Sequence, residues 1–363
     1  SLPSPNLLLE GLGPYRDKIY FLEQNQQALH DDDHYTVTEL QLAIPCCSDD
    51  FRVLGSCHGL LCLESCVGTD PPLRYICNPF TRQYVRLPNL ISPLQDHEWK
   101  LRSHGYSSEI ELGFCDKTLE YKVVELVPIE PCDKFWAESS NVSVFTLGDE
   151  CWREKGVVPY AVKPELWPRV GRNKFVNGAL HWVCSSPANS ILSFDVGDEA
   201  FRVIPCPEFG NEIGLQLGVL GGRLSITDKQ FVGTAEIWVM LDYGLKETWT
   251  KCFSILEIDV GEYLRFSQTL CFQGDGKLLF LNDKKSLVLY DPQTMRMEVL
   301  KVRRLPSYFQ AVTHVASLVS PPGCIPRPIE LRNADENTIA CKPAEEGMLK
   351  KDARKSKGKS IMS

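Results

Sequence analysis

Residues 287–300 read "LVLYDPQTMRMEVL": an apolar run, a tight turn at Asp291-Pro292-Gln293-Thr294, and a second run of alternating residues. Asp opens such turns because its carboxylate accepts hydrogen bonds from backbone N–H groups just ahead of it. The same plan recurs along the chain, with Asn78 then Tyr84 in "YICNPFTRQYVRLP", Asp116 then Tyr121 in "LGFCDKTLEYKVVEL", and Asp149 then Trp152 in "SVFTLGDECWRE". Asp195 then Phe201 follow in "ILSFDVGDEAFRVIPCP", and Asp242 then Trp249 in "EIWVMLDYGLKETWTKCFSI". The six Asp/Asn positions (78, 116, 149, 195, 242, 291) lie 38, 33, 46, 47 and 49 residues apart.

A second unit stands ahead of several of these, a glycine turn feeding a strand: "GSCHGLLCLE", "FVNGALHWV", "LGVLGGRLSIT" and "FQGDGKLLFLN". Asn177-Gly178, Gly221-Gly222 and Asp275-Gly276 supply the positive φ that tight hairpins need. Leu180, Trp182 and Cys184, then Leu278 and Phe280, follow at alternating positions. A hairpin repeat of forty-odd residues with four strands per unit predicts an all-β fold, a β-propeller. One four-stranded blade cannot bury both faces alone, so blades must stack around an axis. With the strands of "KIYFLEQ" and "YTVTELQLAIP", six to seven blades are expected. Two packed β-sandwiches are the alternative, and the regularity of the repeat argues against them.

The chain has 363 residues, with 43% hydrophobic and 24% charged content, which is the range of ordinary globular proteins. No apolar run is long enough to span a bilayer as a helix. The sequence opens "SLPSPNLLLEGLG" on Ser, without a basic n-region or a long apolar segment, so no secretory signal is expected and an upstream portion is. Fifteen cysteines in a chain of this kind point to a reducing compartment and to buried thiols, as in "RYICNPF" and "LHWVC". The sequon Asn141-Val142-Ser143 then carries no weight. The net charge is −8, but residues 348–363 hold six Lys/Arg and one Asp, so the rest is strongly acidic. An acidic body is a poor match to nucleic acid, and the basic end is a candidate import signal or a solvated tail.

Residues 55–64, "GSCHGLLCLE", admit three chemistries. A nucleophile elbow on Cys57 needs a helix after the turn, and an apolar strand-like run follows instead. A zinc site of Cys57, His58, Cys62 and Cys66 lacks paired C-x-x-C spacing, and strand parity separates Cys57 from Cys62. A turn at Gly59 feeding a buried strand remains.

Taken together, "GSCHGLLCLE…YICNPFTRQYVRLP", "LGFCDKTLEYKVVEL", "VSVFTLGDECWRE", "FVNGALHWV" and "ILSFDVGDEAFRVIPCP" resemble the plant F-box-associated domain, in the same order, from about residue 7 to about 318. "PNLLLEGLG…KIYFLEQ" is similar to the segment that joins the F-box to that domain. Three departures stand out: His58 where the family usually has Asn, Cys77 where Trp usually precedes Asn-Pro, and a shortened turn at Cys115-Asp116. The resemblance implies a kelch-like propeller over 19–320 and a linker over 1–18, while the Pro-rich, polar composition of 321–363, without periodicity, predicts a disordered tail with a basic end. It also implies a substrate receptor of an SCF-type E3 ubiquitin ligase, cytoplasmic or nuclear, that is not an enzyme itself and has no cofactor. Its partners would be a protein substrate and, through an upstream F-box, the Skp adaptor and a cullin, with no membrane or nucleic acid. This chain alone is not expected to bind the adaptor.

Propeller loops on a rigid scaffold suit target capture. The candidate stretches are 88–105, 128–140 and 157–172, and their candidate partner-binding residues are Trp99, Arg102, Trp136, Trp167 and Arg169, types enriched at binding hot spots. Burial between blades is the alternative for each Trp. Two other functions compete: a stand-alone interaction scaffold without an F-box, and a propeller enzyme or sugar-binding protein. The second of these finds no metal-ligand cluster, paired-carboxylate motif or phosphate loop in the sequence.

Overall fold

The computed structural model describes residues 6–12, 18–24, 35–42, 44, 51–65, 72–90, 108–129, 138–162, 174–186, 190–209, 215–230, 234–256, 268–273 and 275–324. The strands β1 (Asn6–Gly11), β2 (Ile19–Gln24) and β3 (Tyr35–Leu40) open the chain. Blade 2 follows as β4 (Phe51–Cys57), β5 (Leu60–Ser65), β6 (Arg74–Asn78) and β7 (Gln83–Arg86). Blade 3 is β8 (Glu109–Cys115), β9 (Glu120–Ile129), β10 (Ser139–Thr146) and β11 (Arg153–Val158). Blade 4 is β12 (Ala161–Val162), β13 (Phe175–Val176), β14 (Ala179–Ser186), β15 (Ser190–Asp195) and β16 (Ala200–Pro205). Blade 5 is β17 (Leu215–Leu220), β18 (Arg223–Gln230), β19 (Thr234–Met240) and β20 (Trp249–Leu256). Blade 6 is β21 (Gln268–Phe272), β22 (Leu278–Asn282), β23 (Ser286–Asp291) and β24 (Arg296–Val299). The chain then returns: β25 (Val302–Arg303) and β26 (Phe309–His314) join the first three strands in the order β25-β3-β2-β1-β26, which makes blade 1.

Six sheets therefore make six blades. The strands β26, β4, β8, β14, β17 and β21 touch in succession and back to β26, which closes the ring around its axis. Six apolar cores lie one between each pair of neighbouring blades. This explains why "LLCL" in β5 does not alternate. Leu61 and Leu63 enter the core shared with blade 1, while Leu60 and Cys62 enter the core shared with blade 3. A strand buried on both faces reads as a continuous apolar run.

The turn chemistry holds at atomic detail. Asn78, Asp195 and Asp291 each use Oδ1 to accept the N–H groups two and three residues ahead, at 2.8–3.3 Å. Each opens a four-residue loop whose last residue (Arg82, Glu199, Met295) has φ between 51° and 59°.

Asp116 needs correction as a blade marker. It lies in the β8–β9 loop, which has the same plan and ends on Leu119 at φ 57°, and it shares blade 3 with Asp149. The outermost turn of blade 1 falls in residues 25–34, outside the described residues. The six sequence anchors thus count blade 3 twice and blade 1 not at all. The linker boundary is also corrected: β1 lies within residues 1–18 and is paired on both sides, with β2 and β26. Residues 325–363 of the expected tail lie outside the described residues.

Residues 55–64 form a hairpin. His58 and Gly59 have φ of 43° and 90° and join β4 to β5, with no helix after the turn. The parity argument for Cys57 and Cys62 is overturned, because the chain reverses between them. Both side chains enter one core, and burial pushes both thiols far up. Cys66 lies outside the described residues. Among the described residues no group of three His, Cys, Asp or Glu could hold a metal ion. His58 takes a backbone region that suits Asn better, and its ring packs 4.9 Å from Phe114 and 5.8 Å from Phe175.

Candidate interaction surface

Antiparallel order divides the connections between two faces. The turns from first to second and from third to fourth strand lie on one side, and in blades 2, 3, 4 and 6 they take only two to six residues. The loops from second to third strand and from blade to blade lie on the other.

The short-turn face carries a strap. After β26 the chain runs from Val315 to Cys324 across blade 2 toward blade 3. Asn78 is fully buried, and its Nδ2 donates to the carbonyls of Ser317 and Val319 at 2.8 and 2.9 Å. Ser320 donates to Gln83 at 2.8 Å, and Pro322 and Gly323 lie against Gly148. A Cβ at Gly59 would land on Ser317, so this glycine serves both the turn and the strap.

The stretches singled out for binding join strand ends on the opposite face, with one exception. Trp99, Arg102, Trp136, Trp167 and Arg169 all lie outside the described residues. The flanking residues of the first two stretches stand on a buried ionic network. Arg74 donates to both oxygens of Glu125 at 2.9 and 3.0 Å and to Glu64 at 3.2 Å, and Arg52 meets Glu64 at 2.7 Å. This network ties blade 2 to blade 3, and the paired glutamates hold the Arg74 guanidinium firmly protonated against the cost of burial.

Of the third stretch, 157–172, the described part ends β11 and forms β12, and 163–172 lie outside the described residues. β12 and β13 both pair antiparallel with β14, β12 toward its far end and β13 toward its near end. They occupy the two halves of the inner-strand position beside β14, and residues 163–173 between them lie outside the described residues. Both ends are fixed. Val162 pairs with Cys184, while the Lys174 carbonyl accepts from His181 Nδ1 at 2.9 Å and the Lys174 ammonium meets Glu111 at 3.5 Å.

Because a carbonyl only accepts, Nδ1 of His181 carries the proton and Nε2 accepts from the Tyr243 hydroxyl at 2.7 Å. Ser193 then donates to Tyr243 at 3.0 Å. Burial pushes the His181 pKa down to about 4. A tyrosine from the β19–β20 turn thus pins blade 5 to blade 4. No short motif signals this, since His181 and Tyr243 are 62 positions apart.

The sequence matches the family described as "F-box associated beta propeller domain" over residues 14–320, which takes in almost every strand above. The chain belongs to that family. Among its relatives, F-box protein At3g07870 of Arabidopsis thaliana is 28% identical over 358 residues, covering 86% of this chain and 80% of that protein. F-box protein CPR1 of Arabidopsis thaliana is 29% identical over 288 residues, covering 74% of this chain and 68% of that one. F-box/kelch-repeat protein At3g23880 of the same plant is 26% identical over 277 residues, covering 75% and 70%. For this F-box-associated propeller, no helix among the described residues is long and apolar enough to cross a membrane.

Proposed function

We propose that this F-box-associated propeller is the target-capture module of an SCF-type ubiquitin ligase, acting in the cytoplasm or nucleus. The observation that carries the reading is the family match across the propeller. The division of the two faces supports it. Asn6 pairs with His314, where the chain leaves β26 for the strap, so any segment that leads into β1 arrives at the short-turn face. An F-box upstream would place the Skp adaptor and cullin on that side and leave the long connections for the target. The propeller makes and breaks no bonds in this scheme. It holds a target protein beside the ubiquitin donor, and the raised effective concentration drives transfer.

The test is to purify the endogenously tagged protein and identify its associated proteins by mass spectrometry. Recovery of the Skp adaptor and a cullin is the expected result, and the remaining enriched proteins are then targets. Recovery of other partners without either would overturn this reading in favour of a stand-alone interaction scaffold.

A further inference from the structure

On blade 5, the sheet face turned toward blade 6 ends in polar side chains on the long-connection side. Gln216 on β17 pairs with Thr227 on β18, so both share that face, and Lys229 follows two residues along it. Ala235 stands opposite Lys229 and Ile237 opposite Thr227 on β19. Ile237 packs with Leu278 and Phe280 of blade 6, and Thr227 Oγ1 lies 2.8 Å from Thr269 Oγ1 on β21. These contacts fix which way the face looks.

Gln216 has its amide nitrogen and oxygen both buried and without a hydrogen bond. Lys229 is only partly exposed, and burial alone pushes its pKa down, to about 8. Among the described residues Gln216, Thr227 and Ala235 stand beside it on this face, and Thr269 of β21 meets Thr227, none of them ionisable. The fully buried lysines behave differently: Lys122 meets Glu199 at 3.0 Å and Lys174 meets Glu111 at 3.5 Å. A desolvated ammonium with no anion beside it among the described residues and an amide with both ends open each oppose folding, and a bound oxyanion converts both into affinity.

We propose that this polar end of the blade 5 face, where it meets blade 6, binds the carboxylate of an acidic side chain on the captured protein. The Lys229 ammonium meets the charge, and the Gln216 amide donates a second hydrogen bond. This deepens the target-capture reading and rests on it for the identity of the face. A carboxylate suits the site better than a phosphate, which favours the forked donors of arginine. The arginine of β18, Arg223, sits at the strand's opposite end.

The test is to measure the titration of the Lys229 amine in the full chain, from its acetic anhydride labelling rate against pH, read by peptide mass spectrometry. The probes are N-acetylglutamic acid amide, its uncharged glutamine analogue and inorganic phosphate. Lys229 is expected to titrate near 8 without a probe. The carboxylate should raise this by about one unit, a tenfold change in proton affinity, and the glutamine analogue should not. Gln216→Leu should weaken the carboxylate effect several-fold while leaving Lys229 in place. An unmoved titration at saturating carboxylate, or a shift with phosphate alone, overturns the proposal. Lys229→Met should lose the target from the tagged-protein purification and keep the adaptor. If the adaptor is absent while the carboxylate still shifts Lys229, only the ligase reading falls.

Discussion

Asn78 spends every hydrogen-bonding group of its side chain: Oδ1 builds a turn and Nδ2 holds the strap. Asp195 and Asp291 build the same turn with a carboxylate. Asn78→Asp should therefore keep the turn, lose both strap bonds and face two carbonyls with a charge. We expect a loss of about 3 kcal/mol in denaturant unfolding, with early proteolytic cleavage near Ser317, whereas Asp195→Asn should change stability little. Two histidines set an acid limit. Burial pushes His181 and His314 down to about 4 from an ordinary 6.5, so the unfolded chain binds protons first as pH falls. Their contribution is full above 6.5 and is lost progressively toward 4, up to about 3 kcal/mol for each. Unfolding midpoints followed across that range check this, and His181→Phe should flatten part of the slope. The sequence made Asn78 visible as a turn former. It did not show the strap, because the partners Ser317 and Val319 lie 239 and 241 positions away.

Between elements, one device occurs twice. Trp152 and Trp249, each at the start of an outer strand, donate the indole N–H to the carbonyls of Pro88 and Pro205 in the preceding blade, at 2.8 and 3.2 Å. Trp249→Phe should keep most of the packing and lose that bond. The expected cost is about 1 kcal/mol, seen as a lower denaturation midpoint. Hairpins were the most legible elements, since turn chemistry and glycine dipeptides are local. The blade assignment of Asp116 failed for a physical reason: the inner and outer turns of blade 3 are built alike, so spacing alone does not separate them. The inner-strand position of blade 4 left no period to read, as β12 and β13 have two residues each. The polar site at Lys229 is not legible in the sequence, because only the register of β17, β18 and β19 brings Gln216 and Lys229 to one face.

At the scale of the whole molecule, the fold was legible because it repeats, and its closure was not, because closure happens once. β1 and β26 pair along their full length, from Asn6 with His314 to Gly11 with Phe309. Removal of residues 1–12 should strip β26 of its neighbour and open the ring. We expect the sharp single unfolding transition of the intact chain to broaden and fall to lower denaturant, by more than for Trp249→Phe. Near-ultraviolet circular dichroism would follow it. This closure also sets the order of events on the ribosome. The blade made first is the last to be completed, since its inner strand is translated roughly 300 residues after β1. Through that interval the edge carrying Leu7, Leu8 and Leu9, all buried in the finished ring, waits for a strand not yet synthesised. An apolar open edge of this kind is what holdase chaperones occupy. The yield of this protein in a cell should therefore depend on chaperone supply during translation more than on the stability of the closed ring.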